Sequence, residues 1–84
     1  MKHATASVLD QLTTLLADIR RLPLKEKSRG TFYCRAKAFL HFHEDPEGLF
    51  ADLRIGSDWE RMPVDTKADQ ARLLRRISRH LQVS

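Results

Sequence analysis

Apolar residues recur along the first quarter of the chain at intervals of three and four. Val8, Leu9, Leu12, Leu15, Leu16, Ile19 and Leu22 fall on one stripe of a 3.6-residue repeat, which predicts a helix over residues 7–22. Ser7 stands where an N-cap is wanted, and Arg20 and Arg21 lie in the last turn, where cations suit the helix dipole. Pro23 ends the run. The next stretch, PLKEKSRG from Pro23 to Gly30, is polar and without period, and reads as a helix-to-strand loop.

From Thr31 the period changes to two. Residues 31–35, 38–44, 49–55 and 59–64 read as strands, with Gly56-Ser57-Asp58 as a turn. Pro63 has no amide hydrogen to give a ladder, so the fourth strand is placed at a sheet edge or ends there. A helical stripe returns at Ala71, Leu74, Ile77 and Leu81, with Leu73 beside it. Thr66, with Asp69 three residues on, resembles a capping box, and a helix is predicted over 68–82. The expected architecture is one α+β domain over residues 1–84, in the order α-β-β-β-β-α. A four-stranded antiparallel meander would carry both helices on one face.

The strongest local signal is Phe39 to Ile55, FLHFHEDPEGLFADLRI. Asp45-Pro46-Glu47-Gly48 has the residues of a type I turn, flanked by two alternating runs, which marks a hairpin. In the second run Leu49, Ala51, Leu53 and Ile55 should face the helices, leaving Phe50, Asp52 and Arg54 outside. Two registers compete for the first run. The hydrophobic pattern pairs Phe42 with Ala51 and Leu40 with Leu53; it puts His41 opposite Asp52, His43 opposite Phe50 and Phe39 opposite Arg54, all on the outer face. A three-residue loop with a bulge at Gly48 pairs Asp45 with Leu49 instead, and turns Phe39, His41 and His43 inward. A slip of one residue inverts the whole strand. The first register is favoured, because burying two histidines in a thin core requires hydrogen-bond partners that the sequence does not supply.

The core must be thin, since the chain has 84 residues, enough for one domain that buries roughly 60% of the surface its unfolded chain exposes. Fifteen Lys and Arg against eleven Asp and Glu give a net charge of +4, a mild basic bias that permits anionic partners without demanding them. The single cysteine, Cys34, excludes an internal disulfide and a cysteine-rich zinc site. No apolar run approaches the roughly 20 residues of a membrane span, and none resembles a secretory leader, so a cytoplasmic protein without a membrane partner is expected.

Four groups of residues carry candidate chemistry. His41 and His43, two apart on a strand, point the same way and could ligate one transition metal with Asp52 as a third donor, but a lone HxH is a weak signal and more commonly marks two polar residues on a solvated or interface face. A His41–Asp52 pair with Cys34 on the preceding strand is conceivable as a nucleophile and base, against the simpler reading of Cys34 as a small apolar strand residue. Arg72, Arg75, Arg76 and Arg79 recur at spacings of three and four and form a basic stripe, either a nucleic-acid contact or a solvated helix face. Trp59 and Phe50 are candidates for stacking on a base or a partner side chain, or for packing within the sheet. On the sequence, no catalytic residue, cofactor or metal is assigned.

The order of helix, meander and helix, with Arg35-Ala36-Lys37-Ala38-Phe39 preceding an apolar strand, resembles a shortened member of the MmcQ/YjbR-like group over residues 30–82. Those small α+β proteins carry a G-K-x-F hairpin, then a strand like Leu49–Ile55, then a helix opening near a capping residue. Ala36 stands here in the place of the group's glycine. The resemblance implies the same α+β fold and a general DNA-binding association, and no mechanism.

Two helices can cover only one face of the sheet. The expectation is therefore a non-enzymatic interaction module that self-associates as a homodimer through the aromatic outer face, with Phe50, Asp52, Arg54, His41, His43 and Trp59 as binding residues. The alternatives are a nucleic-acid-binding module using Arg72, Arg75, Arg76 and Arg79, and a small-ligand or metal site at His41, His43 and Asp52.

Overall fold

The N-terminal apolar stripe is satisfied by two short helices instead of one. In the computed structural model, which describes residues 2–83, α1 spans Ala6–Gln11 and α2 spans Thr13–Ile19, with the break at Leu12. Leu12 is 2% exposed, so the break keeps its side chain in the core while bending the path of the stripe. The N-cap is Thr5 and not Ser7: its hydroxyl accepts from the Val8 amide.

A two-residue strand β1 (Lys2–His3) precedes these helices. Five more strands follow: β2 (Lys25–Ser28), β3 (Thr31–Cys34), β4 (Lys37–Asp45), β5 (Gly48–Ile55) and β6 (Asp58–Pro63). They lie in the order β2-β3-β4-β5-β6, antiparallel throughout, and β1 pairs with β4. The expected four-stranded meander is present as β3 to β6. To it are added β1 and β2, and β2 turns the supposed loop into an edge strand. Its sequence, Lys-Glu-Lys-Ser, has no apolar alternation because charged residues suit an exposed edge. The long strand β4 shares one of its sides between two neighbours, β3 along residues 37–41 and β1 along residues 43–44.

The β4–β5 hairpin adopts the register favoured by the hydrophobic pattern. Leu40 pairs with Leu53, His41 with Asp52, Phe42 with Ala51, His43 with Phe50 and Asp45 with Gly48. Pro46-Glu47 forms the two-residue loop, and Asp45 Oδ1 accepts from the Glu47 amide at 2.8 Å. Gly48 is required there: its φ is +147°, and a Cβ on it would lie 2.6 Å from Asp65 Oδ2. That Asp65 carboxylate accepts from the Leu49 amide at 2.9 Å, tying the turn to the chain after β6. The β3–β4 turn places Arg35 at φ +53° and Ala36 at φ +71°, the geometry of a type I′ turn made without glycine.

Helix α3 spans Lys67–Val83. Its capping box is formed as expected: Thr66 Oγ1 accepts from the Asp69 amide at 3.0 Å, and Asp69 Oδ2 from the Thr66 amide at 3.2 Å. The three helices pack on one face of the sheet. Leu12, Leu15, Leu16, Ile19, Leu73 and Ile77 from the helices and Phe32, Leu40, Phe42, Ala51 and Leu53 from the strands form one buried cluster.

Phe39 corrects the expectation. It belongs to this core, is 3% exposed, and stacks on the His80 ring of α3 with centroids 5.6 Å apart. The cause is a β-bulge: Phe32 pairs with Leu40 but the next residue, Tyr33, pairs with Ala38, so Phe39 is the extra residue. The bulge turns Phe39 inward beside Leu40, away from the outer face and from Arg54.

Candidate functional site

The face opposite the helices is built by alternation. His41 and His43 come from β4, Phe50, Asp52 and Arg54 from β5, and Trp59 and Arg61 from β6. Register aligns His41, Asp52 and Arg61 in one row across three strands. The row forms a bonded network. Asp52 accepts two parallel bonds from the Arg61 guanidinium, at 2.8 and 3.0 Å, and its Oδ2 lies 3.0 Å from His43 Nε2. His43 Nε2 is also 2.7 Å from His41 Nδ1. Although no helix covers them, His43 and Asp52 are 8% and 7% exposed. The surrounding side chains shield them.

A third histidine, His3, joins them, which the sequence pattern does not place there. His3 on β1 pairs directly with His43 on β4. Its ring lies 4.8 Å from that of His43 and 5.7 Å from that of His41. The His41 ring lies between His43, at 4.7 Å, and the indole of Trp59, at 4.8 Å. The only sequence signal for His3 is its residue type, since two residues of strand carry no period. Donor nitrogens of the three histidines lie within 4.8 Å of one another, an all-imidazole set of the kind borderline divalent metals accept.

The electrostatics follow from the burial. His41 titrates below its ordinary value, first because burial disfavours the imidazolium and next because His43 is beside it; the Asp52 charge only partly opposes this. For Asp52, burial pushes the carboxyl up, but the Arg61 hydrogen bonds and charge outweigh it, and the carboxyl is held below the usual range. Among the described residues, two buried side-chain polar atoms have no protein partner, His43 Nδ1 and Arg54 Nε. The Arg54 guanidinium instead lies over the Trp59 ring, 5.1 Å from its centroid.

Other predicted site residues separate from this group. Cys34 pairs with Lys37 at the far end of the β3–β4 hairpin, and the residue opposite His41 is Thr31, so no Cys–His–Asp grouping forms. The basic stripe divides. Arg72 bonds Asp69 at 3.2 Å and Arg76 bonds Glu60 at 2.6 Å. Arg75 and Arg79 are exposed and meet no carboxylate among the described residues, and they line a groove between α3 and β6 together with Met62 and Leu74. Phe50 is half-buried, and Trp59, at 41%, is the one large apolar side chain that is exposed among the described residues. With Phe39 turned inward, the outer face is less aromatic than the alternation implies. No described helix is long and apolar enough to cross a membrane.

Comparison with family models, with curated proteins and with solved structures finds no match to this chain.

Proposed function

We propose that the protein is a non-enzymatic interaction module that self-associates through its outer sheet face. The observation that carries this reading is Trp59, exposed at 41% on the face that no helix covers. It is flanked by Arg54, whose guanidinium lies over its ring. Trp and Arg together are the side chains that dominate interface energetics. The area is sufficient and no more. Five strands at about 4.8 Å spacing and about six residues of strand length present on the order of 500 Å² per copy, or about 1,000 Å² for two, the lower limit of a specific contact. Association of two copies about a two-fold axis should therefore be weak, in the micromolar range. Sedimentation velocity across a concentration series is expected to show a monomer–dimer equilibrium that Trp59→Asp abolishes and Phe50→Asp weakens, with circular dichroism unchanged. A monomer at every concentration, indifferent to both substitutions, would overturn the reading.

A second reading, nucleic-acid binding through the last helix, is favoured by Arg75 and Arg79, which no carboxylate meets among the described residues. Binding to DNA or RNA measured by fluorescence anisotropy should then weaken steeply with salt. The Arg75→Ala/Arg79→Ala double variant should reduce the log–log slope by about 2. Absence of binding even at low salt ends this reading.

A further inference from the structure

We propose that His3, His41 and His43 form a binding site for a divalent transition-metal ion of the zinc, copper and nickel class. The site lies on the face proposed for self-association but does not rest on that reading, because all three ligands belong to one chain.

The hydrogen bonds around His43 do not close. A neutral imidazole has one donor and one acceptor nitrogen. His43 Nε2 stands 3.0 Å from Asp52 Oδ2 and 2.7 Å from His41 Nδ1, and the neutral tautomer that suits both neighbours carries its proton on Nε2. His43 Nδ1 is then a bare lone pair, buried, with no partner. A lone pair withdrawn from water and left unbonded is costly in a protein-only account, and coordination to a cation would satisfy it.

The surroundings are those of a ligating histidine. Metal-bound imidazoles commonly give their second N–H to a carboxylate, which fixes the tautomer and the ring. Asp52 Oδ2 stands 3.0 Å from His43 Nε2, where a carboxylate of this kind would sit, and is itself held by both nitrogens of the Arg61 fork.

Distances and donor type then select the ion. Three nitrogens around a tetrahedral zinc, each about 2.0–2.1 Å from it, stand about 3.3 Å apart. The three rings already bring their donors within 4.8 Å. The movable member is His3, which is exposed and sits on a strand of two residues, so side-chain rotation can close the remaining gap. Imidazole nitrogen suits zinc, copper and nickel and does not suit magnesium or calcium, which want oxygen. Three ligands leave a fourth position open.

Zinc(II) is the probe. Untagged protein, stripped with chelator and kept at a concentration where it is monomeric, is titrated with zinc against a chromophoric competitor, and native mass spectrometry counts the bound ions. One zinc per chain is expected, together with a rise in melting temperature that magnesium does not produce. His3→Ala, at an exposed position, should remain folded and weaken zinc binding at least tenfold, and His41→Ala should do the same. Asp52→Asn should weaken it by about 10–100-fold with the stoichiometry unchanged, as expected of a positioning residue. Zinc affinity unaffected by His3→Ala and His41→Ala, one zinc shared by two chains, or no zinc bound would each overturn the proposal. If His43→Ala does not fold, the His3 and His41 variants decide. Loss of zinc binding with self-association intact removes the metal site alone, and the converse removes the interface alone.

Discussion

Phe39→Ala should lower the unfolding free energy by about 3–5 kcal/mol, as large an effect as any single truncation in the sheet. The side chain is 3% exposed and belongs to the cluster formed with the helices, and its ring stacks on His80 of α3. Truncation would remove the burial of a large aromatic side chain and leave a cavity at the seam of sheet and last helix, where rigid neighbours on both sides limit collapse. Phe50→Ala is the internal control. Phe50 is half-buried on the outer face, and its loss should cost about 1–1.5 kcal/mol. Urea denaturation followed by circular dichroism measures both. Equal costs would mean that Phe39 shares the environment of Phe50 and that the bulge does not turn it inward.

That bulge also shows where the sequence stops being legible. Strict alternation puts Phe39 with His41 and His43, and a pattern of period two contains no sign of an inserted residue. The β4–β5 register was legible because a slip would have exchanged Leu40 and Phe42 for two histidines in the core, a difference of several apolar side chains. The capping box at Thr66 and Asp69 was legible because it is local chemistry at fixed spacing. Strand β2 was hidden because Lys25–Ser28 is held at an edge by backbone pairing to β3 and carries no apolar alternation. The split at Leu12 was hidden because both short helices read from the same stripe. Of the candidate site, His41, His43 and Asp52 could be placed on one face from the hairpin alone. His3 could not, since it reaches them only through the pairing of β1 with β4, forty residues away in the chain.

Asp52→Ala should cost about 2–3 kcal/mol, more than the removal of either residue it bonds would suggest from a surface ion pair. Two hydrogen bonds from Arg61 depend on this carboxylate, and the His43 Nε2 lies 3.0 Å from it. Their shares differ. The Arg61 side chain is 49% exposed and regains water when its partner goes, so its part of the loss is small. His43 is 8% exposed, and its Nε2 would keep only the contact to His41 while Nδ1 stays unpartnered. Most of the cost therefore comes from a buried imidazole that loses the carboxylate beside it. Two comparisons separate these shares. Asp52→Asn keeps an acceptor oxygen and should cost roughly half as much. Arg61→Ala uncovers Asp52 to water and should cost clearly less than Asp52→Ala. Trp59, the chain's single tryptophan, packs on His41 and reports the same network by its fluorescence. Its emission should shift in Asp52→Ala before global unfolding, because His41 is bonded to the ring that Asp52 holds. If Asp52→Ala costs no more than Arg61→Ala and leaves the emission unmoved, the carboxylate serves only the surface arginine and does not organise the histidines.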